Sequence, residues 1–132
     1  MPRFDRTAVT PEVVEFTTVR HLATLTTVRP DGSPHVAPVG FTLDLEAGLV
    51  RVITFRGARK AHNVDTHPGG RAAVCQVDGR RWLTLEGPAV VTDDPERVAE
   101  AVRRYAERYR QPKQRADRVA IEITVDRVLG RG

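Results

Sequence analysis

From His21 to Val91 the chain alternates short runs of β-forming residues with tight turns, a rhythm that fits an antiparallel sheet. His21 to Arg29, rich in threonine, leucine and valine, meets Pro34 to Leu43 across the turn Pro30-Asp31-Gly32-Ser33. Glu46-Ala47-Gly48 then leads into Leu49 to Phe55, where Leu49, Arg51 and Ile53 alternate with Val50, Val52 and Thr54. These three strands are expected to be antiparallel neighbours. A second hairpin, Arg71 to Val77 with Arg81 to Val91, folds over Asp78-Gly79. A last strand, Arg118 to Val128, sets Ile121, Ile123 and Val125 on one face against Glu122, Thr124 and Asp126.

Three helices punctuate these strands. Thr10-Pro11-Glu12 is a helix start, with a hydroxyl cap and proline at the first position, and the helix runs to about Val19. A helix of about two turns follows Arg59 and stops at Thr66-His67-Pro68-Gly69-Gly70. Thr92-Asp93-Asp94-Pro95-Glu96 opens the long helix, whose Val98, Ala101, Val102, Tyr105 and Tyr109 recur at helical spacing. About six meandering strands with helices at the corners predict a small antiparallel barrel, one domain over residues 1–132.

Composition narrows the functional classes. No apolar run approaches a membrane span or a signal-peptide core, and the start, Met1-Pro2-Arg3-Phe4-Asp5-Arg6, is polar, so a soluble cytoplasmic protein is expected. The lone Cys75, in the apolar run Ala72-Ala73-Val74-Cys75, reads as a buried inert thiol. The net charge of +4 comes mostly from arginines, with lysine only at Lys60 and Lys113. They are spread among acids, not gathered in a tail or stripe, which suits a small anionic ligand better than nucleic acid.

The chemistry concentrates in Ile53-Thr54-Phe55-Arg56-Gly57-Ala58-Arg59-Lys60-Ala61-His62-Asn63-Val64. A strand enters a glycine-broken turn that delivers three cations and then a helix, an arrangement suited to gripping phosphate. The other reading of these residues is a solvated basic turn. His62 and His67 are five apart and no Cys or carboxylate pair completes a zinc set, so no metal site is expected. There is no Gly-x-Ser-x-Gly elbow, P-loop or Gly-x-Gly-x-x-Gly, and Ser33, the one serine, lies in a turn. No catalytic side chain is assigned; a bound cofactor is expected to supply the reactive atoms.

Three blocks in order resemble the flavin and deazaflavin oxidoreductases of the pyridoxamine 5'-phosphate oxidase-like split β-barrel family. They are His21-Leu22-Ala23-Thr24-Leu25-Thr26-Thr27 with Pro30 to Val36, then Gly57 to Val64, then Trp82 to Val91. Arg81-Trp82-Leu83, Arg104-Tyr105-Ala106, Arg108-Tyr109-Arg110 and Arg127-Val128-Leu129-Gly130 are most similar to the branch that uses coenzyme F420, particularly its biliverdin reductases. Two departures from the pyridoxamine phosphate oxidases point the same way. Their terminal segment for pyridoxal phosphate has no counterpart in Gly130-Arg131-Gly132, and their basic pair on the strand after the first hairpin is replaced by Val36 to Thr42, which has no cation. F420 is therefore the expected cofactor and FMN the alternative.

The resemblance implies a six-stranded split barrel acting as a homodimer, with cofactor sites between subunits and no membrane or nucleic-acid partner. It makes Arg59 and Lys60 the phosphate contacts, with Arg56 and Asn63 beside them and Thr54 at the strand end. Pro38, Val39 and Gly40 would lie along the ring system, where a strand poor in side chains admits close approach. Gln76, Trp82 and Tyr109 or Arg110 would come from the partner. The implied reaction is hydride transfer from the reduced deazaflavin to a conjugated substrate, biliverdin being the most specific guess, with His35, Arg80, Arg81 and Arg118 as substrate-binding candidates. An FMN-binding oxidoreductase and a haem-binding split barrel are the alternative functions.

Overall fold

A computed structural model of the chain describes residues 10–131. The polar start read as lacking a signal segment lies outside these residues. Helix α1 (Pro11–Thr18) is capped by Thr10, whose hydroxyl accepts from the Val13 N–H at 3.3 Å. Eight antiparallel strands follow: β1 (Ala23–Val28), β2 (Pro34–Val39), β3 (Thr42–Asp44), β4 (Leu49–Phe55), β5 (Arg71–Asp78), β6 (Arg81–Thr92), β7 (Arg118–Thr124) and β8 (Arg127–Arg131). Helix α2 (Arg59–Asp65) joins β4 to β5 and α3 (Pro95–Arg108) joins β6 to β7. None of these helices is long and apolar enough to cross a membrane.

The expected split-barrel class holds, but two of the six runs divide. Pro34 to Leu43 breaks at Gly40-Phe41: its first half pairs with β1, Ala23 opposite Val39, and its second half pairs with β4, Thr42 opposite Arg51. The three expected neighbours are thus not one sheet in sequence order. β1 and β4 lie far apart in the strand order β2-β1-β5-β6-β7-β4-β3.

The second division is a bulge. β7 and β8 both line the edge of β6 away from β5. Between the pairs Ala89–Ile123 and Glu86–Arg127, two residues of β6 face three of the other strand. The extra residue turns the Val125 N–H away to the Gly48 carbonyl at 2.9 Å, while Asp126 N–H donates to Glu86 O at 3.0 Å. Gly87 lies opposite, and a Cβ there would stand 1.8 Å from the Thr124 carbonyl oxygen. The missing side chain lets β6 serve both sheets, β2-β1-β5-β6 with β8 and β6-β7-β4-β3.

The sheets enclose one core in which Phe16, Leu25, Phe41, Val50, Val52, Val74, Leu83, Leu85, Ile121 and Ile123 are buried. β7 is covered on its second face as well, so Glu122 is buried and receives Arg97 of α3 at 3.0 and 3.2 Å. Of the expected apolar face of α3, only Ala101 is fully buried, and the helix buries Arg108 as well. Replacing Gly87 by alanine is expected to cost about 3 kcal/mol or more, because the obstacle is backbone and cannot rotate away. A urea midpoint lowered by less than the equivalent of about 1 kcal/mol would show that the crossing is looser.

Candidate functional site

β4 ends at Phe55, and the turn Arg56-Gly57 starts α2 at Ala58, whose N-cap has no side-chain hydrogen bond. The first turn of α2 therefore presents bare N–H groups together with Arg59 and Lys60. Neither cation has a hydrogen-bond or ion-pair partner among the described residues. That sets them apart, because Arg51, Arg71, Arg97, Arg103, Arg104, Arg115 and Arg127 are all paired with carboxylates.

Across from α2 lies the β1–β2 hairpin. His35 faces Thr27 in register, and the buried Thr27 hydroxyl accepts from Asn63 Nδ2 at 3.0 Å. The remaining polar atoms of this group, Asn63 Oδ1 and His35 Nδ1, are buried without a partner. Burial pushes the His35 imidazole below its ordinary value, and the positive charges of Arg29, Lys60 and Arg59 push it further. Arg29 is held against the hairpin by the Pro34 carbonyl at 2.5 Å. The result is a notch with three cations, a neutral imidazole at pH 7 and two unused buried acceptor or donor atoms. Such a notch fits a phosphate-bearing ligand with further polar groups.

Of the residues expected from the sequence, Arg59, Lys60, Asn63 and His35 lie near one another here, together with Thr27 and Arg29, which the sequence does not single out. Both are signalled only by cross-strand register, Thr27 opposite His35 and Arg29 beside the turn. Arg56 does not join the notch. It is exposed and paired with Asp93 at 2.7 Å, over a groove shared with His62 and Asp65. Thr54 is buried inside the barrel opposite Val119.

The expected ring-binding strand is also corrected in part. β2 is a sheet edge, so it retains backbone groups free of strand pairing, and Pro38 is exposed. Val39, however, is buried in the core. Gly40 is small for an intramolecular reason: a Cβ there would stand 2.9 Å from the Tyr109 ring and 3.0 Å from Tyr105. Gln76 is 0% exposed, donating to Phe16 O at 2.7 Å and accepting from Arg108 at 2.7 Å, so its amide is spent inside the protomer. Tyr109 is likewise bound within its own chain, its hydroxyl donating to His21 O at 2.7 Å and accepting from Phe41 N–H at 3.2 Å.

The remaining candidates are dispersed within one protomer. Arg80 lies at the exposed β5–β6 turn, and Arg81 lies over the Phe16 ring at 4.5 Å with a hydrogen bond to Glu12 O. Arg118 donates to Lys113 O and borders a cleft between α3 and the segment 111–116. Trp82 is 40% exposed and shares an open sheet face with its cross-strand neighbour Val77 and with Leu129.

Two antiparallel sheets sharing one long strand, with Arg59 and Lys60 at the start of the helix that follows β4, define the class as a split β-barrel. The chain belongs to the pyridoxamine 5'-phosphate oxidase family, whose pattern matches residues 9–132. It is 49% identical over 124 residues to the F420H2-dependent biliverdin reductase of Mycobacterium tuberculosis, a match covering 94% of this chain and 89% of that one. A solved structure titled F420 reductase is 27% identical, with a TM-score of 0.70 and coverage of 91% and 98%. A haem storage protein of Vibrio cholerae superposes with a TM-score of 0.77 over 94% and 95% of the chains, but at 20% identity that likeness is of fold.

The state of His35 is directly measurable. By NMR its imidazole is expected to titrate below the ordinary value of about 6.5 and to move upward in Arg59→Ala and Lys60→Ala. Since the folded ring resists protonation, its cost to stability is absent above pH 6.5 and appears as the pH falls, when the unfolded chain takes up the proton first. An unshifted His35 would remove the cations from its surroundings.

Proposed function

We propose that this chain is an F420-dependent oxidoreductase that reduces biliverdin or a closely similar linear tetrapyrrole in the cytoplasm. The observation that carries the reading is the notch at α2, where unpaired Arg59 and Lys60 adjoin the orphaned Asn63 Oδ1 and His35 Nδ1. Its support from likeness is the 49% identity to the mycobacterial biliverdin reductase.

The residues present fit F420. Its phosphodiester matches Arg59, Lys60 and the free N–H groups of α2, with Arg29 close to His35 as a third cation. Asn63 and His35 have polar atoms left to satisfy, and the free edge of β2 near Pro38 and Gly40 offers backbone groups to a planar ring. Coenzyme F420, when bound and reduced, supplies a hydride to an electrophilic carbon of a conjugated acceptor. The protein contributes placement and electrostatics. Rigid alignment of donor and acceptor is worth on the order of 7 to 11 kcal/mol, and none of the chain's side chains need react covalently.

The active form in this reading is a homodimer. Val36, Pro38, Val77, Trp82 and Leu129 are exposed on the outer face of β2-β1-β5-β6 and β8, with Thr24, Thr26, Ala73, Cys75 and Thr84 between them. An apolar sheet face of this kind suits burial against its own copy. Trp82 serves as a packing residue there, and each cofactor lies at the seam with β2. Arg80, on the rim and without a partner among the described residues, remains available to a substrate carboxylate.

Replacing Lys60 by alanine is expected to weaken F420 binding by about 1.5 to 3 kcal/mol, read from cofactor fluorescence. Unchanged affinity, or a preference of the wild type for FMN, would overturn the cofactor assignment. Light scattering is expected to find a dimer for the wild type and a monomer for Trp82→Glu, because a buried unpaired carboxylate is costly. A monomeric wild type would sink the interface.

A further inference from the structure

The positive charge left unpaired by the fold collects in more than the α2 notch. Arg20 and Arg110, like Arg59 and Lys60, have no hydrogen-bond or ion-pair partner among the described residues. They border one cleft of about 480 Å3 whose other lining residues are His21, Leu22, Tyr105 and Tyr109, with no carboxylate among the described residues that line it.

The cleft is built around a fixed aromatic wall. Tyr109 is held by hydrogen bonds to His21 O at 2.7 Å and from Phe41 N–H at 3.2 Å, and its ring fills the space left by Gly40. The Arg108 guanidinium lies 5.0 Å from the Tyr109 ring centroid, and Tyr105 stacks on Tyr109 with centroids 4.8 Å apart. Two tyrosines in fixed positions present a flat apolar surface at little entropic cost. Leu22, 63% exposed, adds an apolar floor. Such a wall between two free guanidiniums is complementary to a flat conjugated molecule with an anionic group on each of two arms.

Position strengthens the assignment. The cleft adjoins Ala23 and Val39, one end of the β1–β2 hairpin, whereas His35 marks the other. With a rise of about 3.4 Å per residue, these two ends, His35 and Val39, are roughly 14 Å apart along β2. A cofactor whose phosphate occupies the α2 notch, with its ring along β2, would bring that ring toward the cleft.

We propose that the cleft formed by Arg20, Leu22, Tyr105, Tyr109 and Arg110 binds the electron acceptor, Arg20 and Arg110 pairing with two carboxylates of a flat conjugated dicarboxylate. This rests on the reading of the chain as an F420 enzyme for its catalytic meaning, but the binding itself does not require cofactor.

The test compares biliverdin with its dimethyl ester, in wild type and in Arg20→Gln/Arg110→Gln. Equilibrium binding is followed by biliverdin absorbance without cofactor, KM by oxidation of reduced F420, and F420 affinity separately by fluorescence. The expected result is a preference of the wild type for the diacid over the diester. The double variant is expected to lose the preference with about a ten- to hundredfold weaker diacid affinity, the usual worth of charge-assisted bonds. F420 affinity stays at the wild-type value. Because Arg20 and Arg110 are surface residues without structural partners, the fold is not at risk. Equal affinity for diacid and diester in the wild type, or a double variant within twofold of it, overturns the cleft. Selective diacid binding without turnover upholds the cleft while failing the reductase reading, and loss of F420 binding by the wild type fails only the latter.

Discussion

One buried guanidinium fixes the corner on which the break between β2 and β3 and the tyrosine cleft both depend. Arg108, the last residue of α3, donates to Val19 O at 3.0 Å, to Phe41 O at 2.6 Å and to Gln76 Oε1 at 2.7 Å. It thereby ties the end of α1, the break between β2 and β3, and the middle of β5 to one helix terminus. Burial pulls the group down from its ordinary value, yet an arginine remains charged, and the carbonyls around it compensate for lost water. The charge also lies 4.7 Å from the Phe41 ring centroid, so the break in the strand is held from both its backbone and its side chain.

Around that corner the chain divides its arginines into two populations. Most are neutralised in place, as in the bidentate Arg71–Asp126 pair and the Glu100 cluster, where hydrogen bonds from Arg103 and Arg104 hold the Glu100 carboxyl at about 2. Asp44, buried at a cost that opposes its ionisation, is kept low by Arg51, by the Ala47 N–H and by Arg104. These groups stabilise packing and present little net field. Among the described residues, the cations left unpaired include those at α2, those around the tyrosine cleft, and rim residues such as Arg80. A chain of moderate net charge therefore leaves its unneutralised cations in a few places.

Much of this was legible in the sequence because local rules carried it. The Asp78-Gly79 hairpin, the Thr10 cap, the helix start within Thr92 to Glu96 and the alternation of Leu49 to Phe55 are set by neighbours in the chain, and each is found where expected. The failures are all long-range. A one-residue bulge at Thr124 to Asp126 leaves the hydropathy of the strand unchanged, so Arg118 to Val128 looked continuous. Arg56 resembled Arg59 until Asp93, 37 residues away, claimed it. Gln76, which the resemblance assigns to the partner's site, has its hydrogen-bond partners in Phe16 and Arg108, on helices distant in sequence. Gly40 was read as space for a ligand, and a tyrosine from the other end of the chain occupies that space.

The uneven pairing of arginines also has a kinetic meaning. Charges already neutralised contribute little at a distance, whereas unpaired cations on a low-dielectric surface attract an anion before it makes contact. With patches at both ends of one hairpin, an elongated ligand with several negative charges would be captured by either end and turned to engage the other. Encounter would then be fast at low ionic strength and slow as salt shortens the Debye length below the spacing of the two patches.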